Sequence, residues 1–69
     1  MKPLTPTQHT AKAFIVRHIQ RYGFAPTVRE FAEKTGRSPT AAHYLIDQLV
    51  AKGHLERGTG LARSLRVPS

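Results

Sequence analysis

The stretch Arg37-Ser38-Pro39-Thr40-Ala41-Ala42-His43-Tyr44, running on to Lys52-Gly53, decides how this chain is read. Ala42, Leu45, Ile46 and Leu49 fall at i, i+3, i+4 and i+7, one apolar face of a helix, with Val50 on its edge. Thr40, His43, Tyr44 and Asp47 repeat that spacing on a second face, and each can form hydrogen bonds. Ser38 supplies an N-cap, and Pro39 a first helical residue with preset φ. Gly53 marks the far end, behind a Lys52 suited to the C-terminal dipole. The spacing predicts a helix over 39–52. Ordinary surface helices can also carry two such stripes, so the flanking sequence has to separate the readings.

Upstream, Thr27-Val28-Arg29-Glu30 is a capping box, and Val28, Phe31, Ala32 and Thr35 keep helical register over 28–35. Gly36 closes that helix, and only Gly36 and Arg37 separate it from the Ser38 cap. Two short helices joined by a tight glycine-containing turn form a helix-turn-helix, whose second helix is the one presented to a major groove. Further back, Thr5-Pro6-Thr7-Gln8 is another capping box and opens a helix over 6–22. Ala11, Phe14, Ile15, Ile19 and Tyr22 lie on one side of it, and Gly23 stops it. Leu4 is placed to fold back as a staple, His18 is expected to be partly buried, and Pro26 keeps Ala25 extended.

Downstream of Gly53 the period falls to two. Leu55, Leu65 and Val67 then share one face of a hairpin over 54–67, with Gly58 to Ala62 at its tip. A lone hairpin is marginal in water, so this one is expected to pack on the helices as a wing. Arg57, Arg63 and Arg66 flank the tip and can meet phosphates or enter a minor groove. Their plainer role is to keep an edge hairpin soluble. The expected fold is a single domain over 1–69, mainly α with a small β-hairpin: three helices plus a two-stranded wing.

Composition narrows the function. The 69 residues include 11 Lys and Arg against 4 acids, a formal charge of +7, and no cysteine. A surplus that large on a small domain favours a polyanionic partner, nucleic acid above all. The four histidines, His9, His18, His43 and His54, form no i, i+4 pair, so no metal site is expected. No nucleophile–base pairing or phosphate-cradling glycine loop is present, so neither enzymatic activity nor a cofactor is expected. No apolar run approaches the ~20 residues of a membrane span, and the expected location is the cytoplasm.

Leu4-Thr5 with Gln8, Ile15 to Ile19, Gly23 with Pro26-Thr27 and Glu30, and Arg37-Ser38-Pro39 with Ala41-Ala42 recur together in one family. So do Leu49, Lys52-Gly53, Glu56, Gly60, Arg63 and Arg66. In their order and spacing, with one residue fewer around Gly36-Arg37, the chain resembles the DNA-binding domain of the LexA family of SOS repressors over nearly its whole length. The resemblance implies a winged helix-turn-helix, operator binding and transcriptional repression. The family's serine–lysine peptidase domain and self-cleavage site are not in this sequence, which suits a stand-alone repressor and an excised domain equally. The family also commonly carries an amide and two carboxylates where this chain has Thr40, His43 and Tyr44.

The residues expected to meet double-stranded DNA are Arg37, Ser38, Thr40, Ala41, His43, Tyr44 and Asp47 on and before the reading helix. Arg29 precedes them, and Arg57, Thr59, Arg63 and Arg66 belong to the wing. His43 as a donor suits guanine, and the Tyr44 ring suits a thymine methyl, where carboxylate-bearing relatives would suit cytosine. So small a module covers one half-site, so a weak or DNA-assisted homodimer on two half-sites is expected. The alternative is a winged-helix modulator that binds a host repressor or RNA polymerase. Structured RNA is a third reading, disfavoured by the lack of sheet-borne stacking aromatics.

Overall fold

The computed structural model describes residues 2–58 and 65–68. Its elements are α1 (Pro6–Tyr22), α2 (Val28–Thr35), α3 (Pro39–Ala51), β1 (Glu56–Arg57) and β2 (Leu65–Arg66). Each helix begins where its cap dictates. Thr5 accepts the Gln8 amide at 3.2 Å, and the Gln8 side chain accepts the Thr5 amide at 3.1 Å. Thr27 and Glu30 repeat this box at the start of α2, at 3.1 and 2.9 Å. Each box satisfies two amides that the first helical turn would otherwise orphan.

Glycine ends the first two helices. Gly36 has φ of 68°, a left-handed conformation that lets the Arg37 amide reach back to the Ala32 carbonyl at 2.9 Å. α3 ends at Ala51 with Lys52 as its cap, one residue short of the expected boundary. Gly53 then turns the chain, and the His54 amide bonds the Leu49 carbonyl at 2.9 Å. β1 and β2 pair antiparallel in the register Glu56 with Arg66 and Arg57 with Leu65. The winged helix-turn-helix is therefore present, and among the described residues its ladder covers Glu56–Arg57 and Leu65–Arg66.

α3 packs against both α1 and α2. Ala42, Leu45, Ile46 and Leu49 turn its apolar stripe into a core completed by Ala11, Ile15, Phe31, Ala32, Leu55 and Leu65. Leu4 packs against this cluster, as a staple should. Two expected members are outside it. Tyr22 is 51% exposed because its ring meets His18 and Phe24 instead of the core. Val67 is 41% exposed because it lies past the last paired residue of the hairpin.

Polar ties that the sequence did not announce fix the N-terminal segment. The Lys52 ammonium donates to the Gln8 side chain at 2.5 Å and to the Pro3 carbonyl at 3.1 Å, joining the end of α3 to the start of α1. The His54 ring stands 3.0 Å from the Lys12 ammonium and 2.7 Å from the Lys2 carbonyl. An ammonium can only donate, so Nδ1 accepts from Lys12 and Nε2–H donates to Lys2.

Leu49 is fully buried, whereas Tyr44 is 65% exposed on the same helix. Leu49→Ala should therefore cost about 2–5 kcal/mol through the cavity it leaves. Tyr44→Ala should stay within about 0.5 kcal/mol. Urea unfolding of both variants checks the assignment of the two faces.

Candidate nucleic-acid interface

The outward face of α3 is built by its entry. Ser38 caps the helix, its hydroxyl accepting the Ala41 amide at 3.2 Å, and no acid occupies the first turn. That end of the helix dipole stays positive and faces anions favourably. With the apolar stripe held in the core, Thr40, Ala41, His43, Tyr44 and Asp47 are all exposed. The structure thus brings the expected reading residues onto one surface. Arg37 stands beside them, exposed at the head of the turn, and takes part in none of the ion pairs among the described residues.

Three other arginines expected to meet DNA, Arg29, Arg57 and Arg66, are already paired with acids. Arg29 lies on α2, 3.4 Å from Glu33, in a pair so exposed that it adds little to stability. Arg66 reaches Glu56, its neighbour across the hairpin, at 3.0 Å. Arg57 pairs with Asp47 on α3, and Asp47 also lies 4.0 Å from the His43 ring. The root of the hairpin is therefore tied electrostatically to the middle of α3. Asp47 meets any ligand as part of that pair rather than as a bare acceptor. Thr59 and Arg63 lie outside the described residues.

The Arg57–Asp47 tie was missed in the sequence, yet a signal was there. Leu55, the residue before β1, and Arg57, at the end of β1, sit two apart and so share a face. Leu55 is buried, so the Arg57 stem also starts on the helix-facing side. No groups of His, Asp or Glu able to hold a metal occur among the described residues.

The family described as the LexA DNA binding domain matches residues 1–64. The chain is 42% identical to a LexA repressor of Oleidesulfovibrio alaskensis over 64 residues, which is 93% of this chain and 31% of that protein. It is 39% identical to a LexA repressor of Pseudomonas aeruginosa over 69 residues, 99% of this chain and 34% of the relative. A LexA repressor of Thermotoga neapolitana is 37% identical over 67 residues, again 34% of its length. The chain spans about a third of the length of the curated relatives it matches.

A double-mutant cycle tests the helix–hairpin tie. Asp47→Ala and Arg57→Ala should show a stability coupling of about 0.2–1 kcal/mol at low salt, as partly exposed pairs do. The coupling should shrink in about 1 M salt, where the Debye length is about 3 Å. Strictly additive single-variant losses at low salt would mean the pair does not operate in solution.

Proposed function

The chain belongs to the LexA DNA binding domain family, and from that premise we propose that it is a sequence-specific, double-stranded DNA-binding regulator acting as a repressor. In this reading α3 enters the major groove, and the hairpin lies along the backbone or in the adjacent minor groove. The observation that carries the proposal is the exposed set Thr40, His43 and Tyr44 in the first turns of a helix whose other face is locked in the core. Side chains at those turns of a helix-turn-helix reach base edges. The formal charge of +7 supplies the nonspecific attraction on which such reading is superimposed. No helix among the described residues is long and apolar enough to cross a membrane.

Specificity then follows from side-chain chemistry. Tyr44 offers a hydroxyl and a ring for a thymine methyl, and His43 can donate to guanine O6 or N7. The operator should differ from that of a relative with carboxylates at these positions, because a carboxylate only accepts and suits the cytosine amino group. Action is by binding, with no catalytic step. One domain this small covers a half-site, so we place two copies on paired half-sites, held together mainly by the DNA.

The reading face and the backbone contacts should respond differently to substitution. Thr40→Ala, His43→Ala or Tyr44→Ala should each cost about 1–3 kcal/mol on the preferred duplex and relax its sequence requirement. Arg37→Ala should weaken binding to all duplexes alike and reduce the salt slope by about 1. Fluorescence anisotropy against preferred and scrambled duplexes over a salt series separates the two classes. Preferred-duplex affinity unchanged in both His43→Ala and Tyr44→Ala would show that this face does not read bases.

Sedimentation checks the assembly. The free protein should be a monomer or weak dimer at micromolar concentration, and two copies should load together on a duplex with both half-sites. A tight dimer without DNA would contradict this.

A further inference from the structure

A second surface lies away from the reading face. Phe14, Arg17, His18, Arg21 and Tyr22 of α1, Phe24 of the connection, and Glu30 and Lys34 of α2 line an open groove of about 430 Å³. None of these residues belongs to α3 or the hairpin. Tyr22 and Phe24 are two of the four large hydrophobic side chains left exposed among the described residues. Exposed apolar surface concentrated in a concavity marks an interaction site more often than scattered apolar side chains do.

The rings form one connected cluster. His18 and Tyr22 have centroids 4.6 Å apart, Tyr22 and Phe24 6.1 Å, and Phe14 rests on the buried Phe31 at 5.7 Å. The His18 ring is further held by the Phe24 carbonyl, 2.9 Å from its Nδ1. Such a wall is anchored to the core and preorganised. The rings meet at tilted to edge-on angles, 49° for His18 with Tyr22 and 63° for His18 with Phe24, so they offer an angled wall for a side chain and not the flat platform on which nucleobases stack.

The rim has one dominant sign. Arg17, Arg21 and Lys34 stand around the groove, and none takes part in a salt bridge among the described residues. The acid in the lining, Glu30, accepts the Thr27 amide as part of its capping box. A second copy of this chain would bring like charge against this rim, which disfavours self-association there.

We propose that this groove is a docking site for an acidic peptide segment of a partner protein. The segment lays an aromatic or large aliphatic side chain against the exposed edges of Tyr22 and Phe24 and pairs its carboxylates with Arg17, Arg21 and Lys34. This is the arrangement of a protein-binding hot spot, with an apolar anchor at the centre and a charged, water-exposed rim. Because the lining excludes α3 and the hairpin, the partner can be held while the reading face is occupied. The inference is independent of which operator the domain reads.

A random linear-peptide display library, selected on the intact chain, is the probe. Enriched peptides should combine Asp or Glu with Trp, Phe or Leu, and the best of them should shift the backbone amides of the groove in a heteronuclear NMR titration. Phe24→Ser and the double variant Arg17→Gln/Arg21→Gln should each weaken that peptide by at least about tenfold, while the preferred DNA duplex stays the same. The arginine substitutions lie on the exposed side of α1, so they keep the test decisive if Phe24→Ser folds poorly. Failure to enrich any peptide would overturn the proposal, as would enriched peptides lacking acids or an anchor, or affinity that survives the arginine substitutions. An oligothymidylate that occupies the groove more tightly than the best peptide would also overturn it and assign the site to single-stranded nucleic acid.

Discussion

The direction in which α3 leaves α2 is set by Gly36 and Arg37, and everything proposed for the reading face depends on it. Gly36 takes a left-handed φ of 68°, which L side chains adopt only under strain. In that conformation the Arg37 amide bonds the Ala32 carbonyl, and the next residue, Ser38, already caps α3. With no slack between the helices, the burial of Phe31 and Ala32 on one side and of Ala42 and Ile46 on the other fixes their crossing. Thr40, His43 and Tyr44 then have only one way to face, which is outward.

The rest of the chain supports that exposure. A domain of 69 residues buries only about 60% of its unfolded surface, so it has little margin. It uses α1 and Leu55 and Leu65 of the hairpin to close the core beneath α3. Polar ties then hold the periphery: Lys52 to Gln8, His54 between Lys12 and Lys2, and Arg57 to Asp47. The last of these joins the two elements proposed to meet DNA, so hairpin and reading helix are presented as one surface. The aromatic groove between α1 and α2 uses none of these groups.

Much of the architecture was legible because local signals carried it. Both capping boxes, the proline and serine at the head of α3, and the three stop glycines each act within a few residues, and the sequence displays them directly. The apolar stripe of α3 read correctly because a period of 3.6 has one solution over thirteen residues. Tyr22 and Val67 were misplaced for a common reason. A periodic pattern says which side a residue lies on, but not where the neighbouring element ends. The Asp47–Arg57 pair and the aromatic groove were illegible on other grounds, since both join segments whose proximity exists only in the folded chain. The groove also depends on Phe24, a connection residue outside any periodic pattern.

In the function proposed, the outward face of α3 touches base edges in the major groove. Isotope-filtered NOE spectroscopy of the labelled protein on an unlabelled preferred duplex measures this directly. Cross-peaks are expected from the Thr40 methyl, the His43 ring and the Tyr44 ring to major-groove protons, notably thymine methyls and cytosine H5. Cross-peaks confined to α1 or to minor-groove protons, with α3 silent, would contradict it.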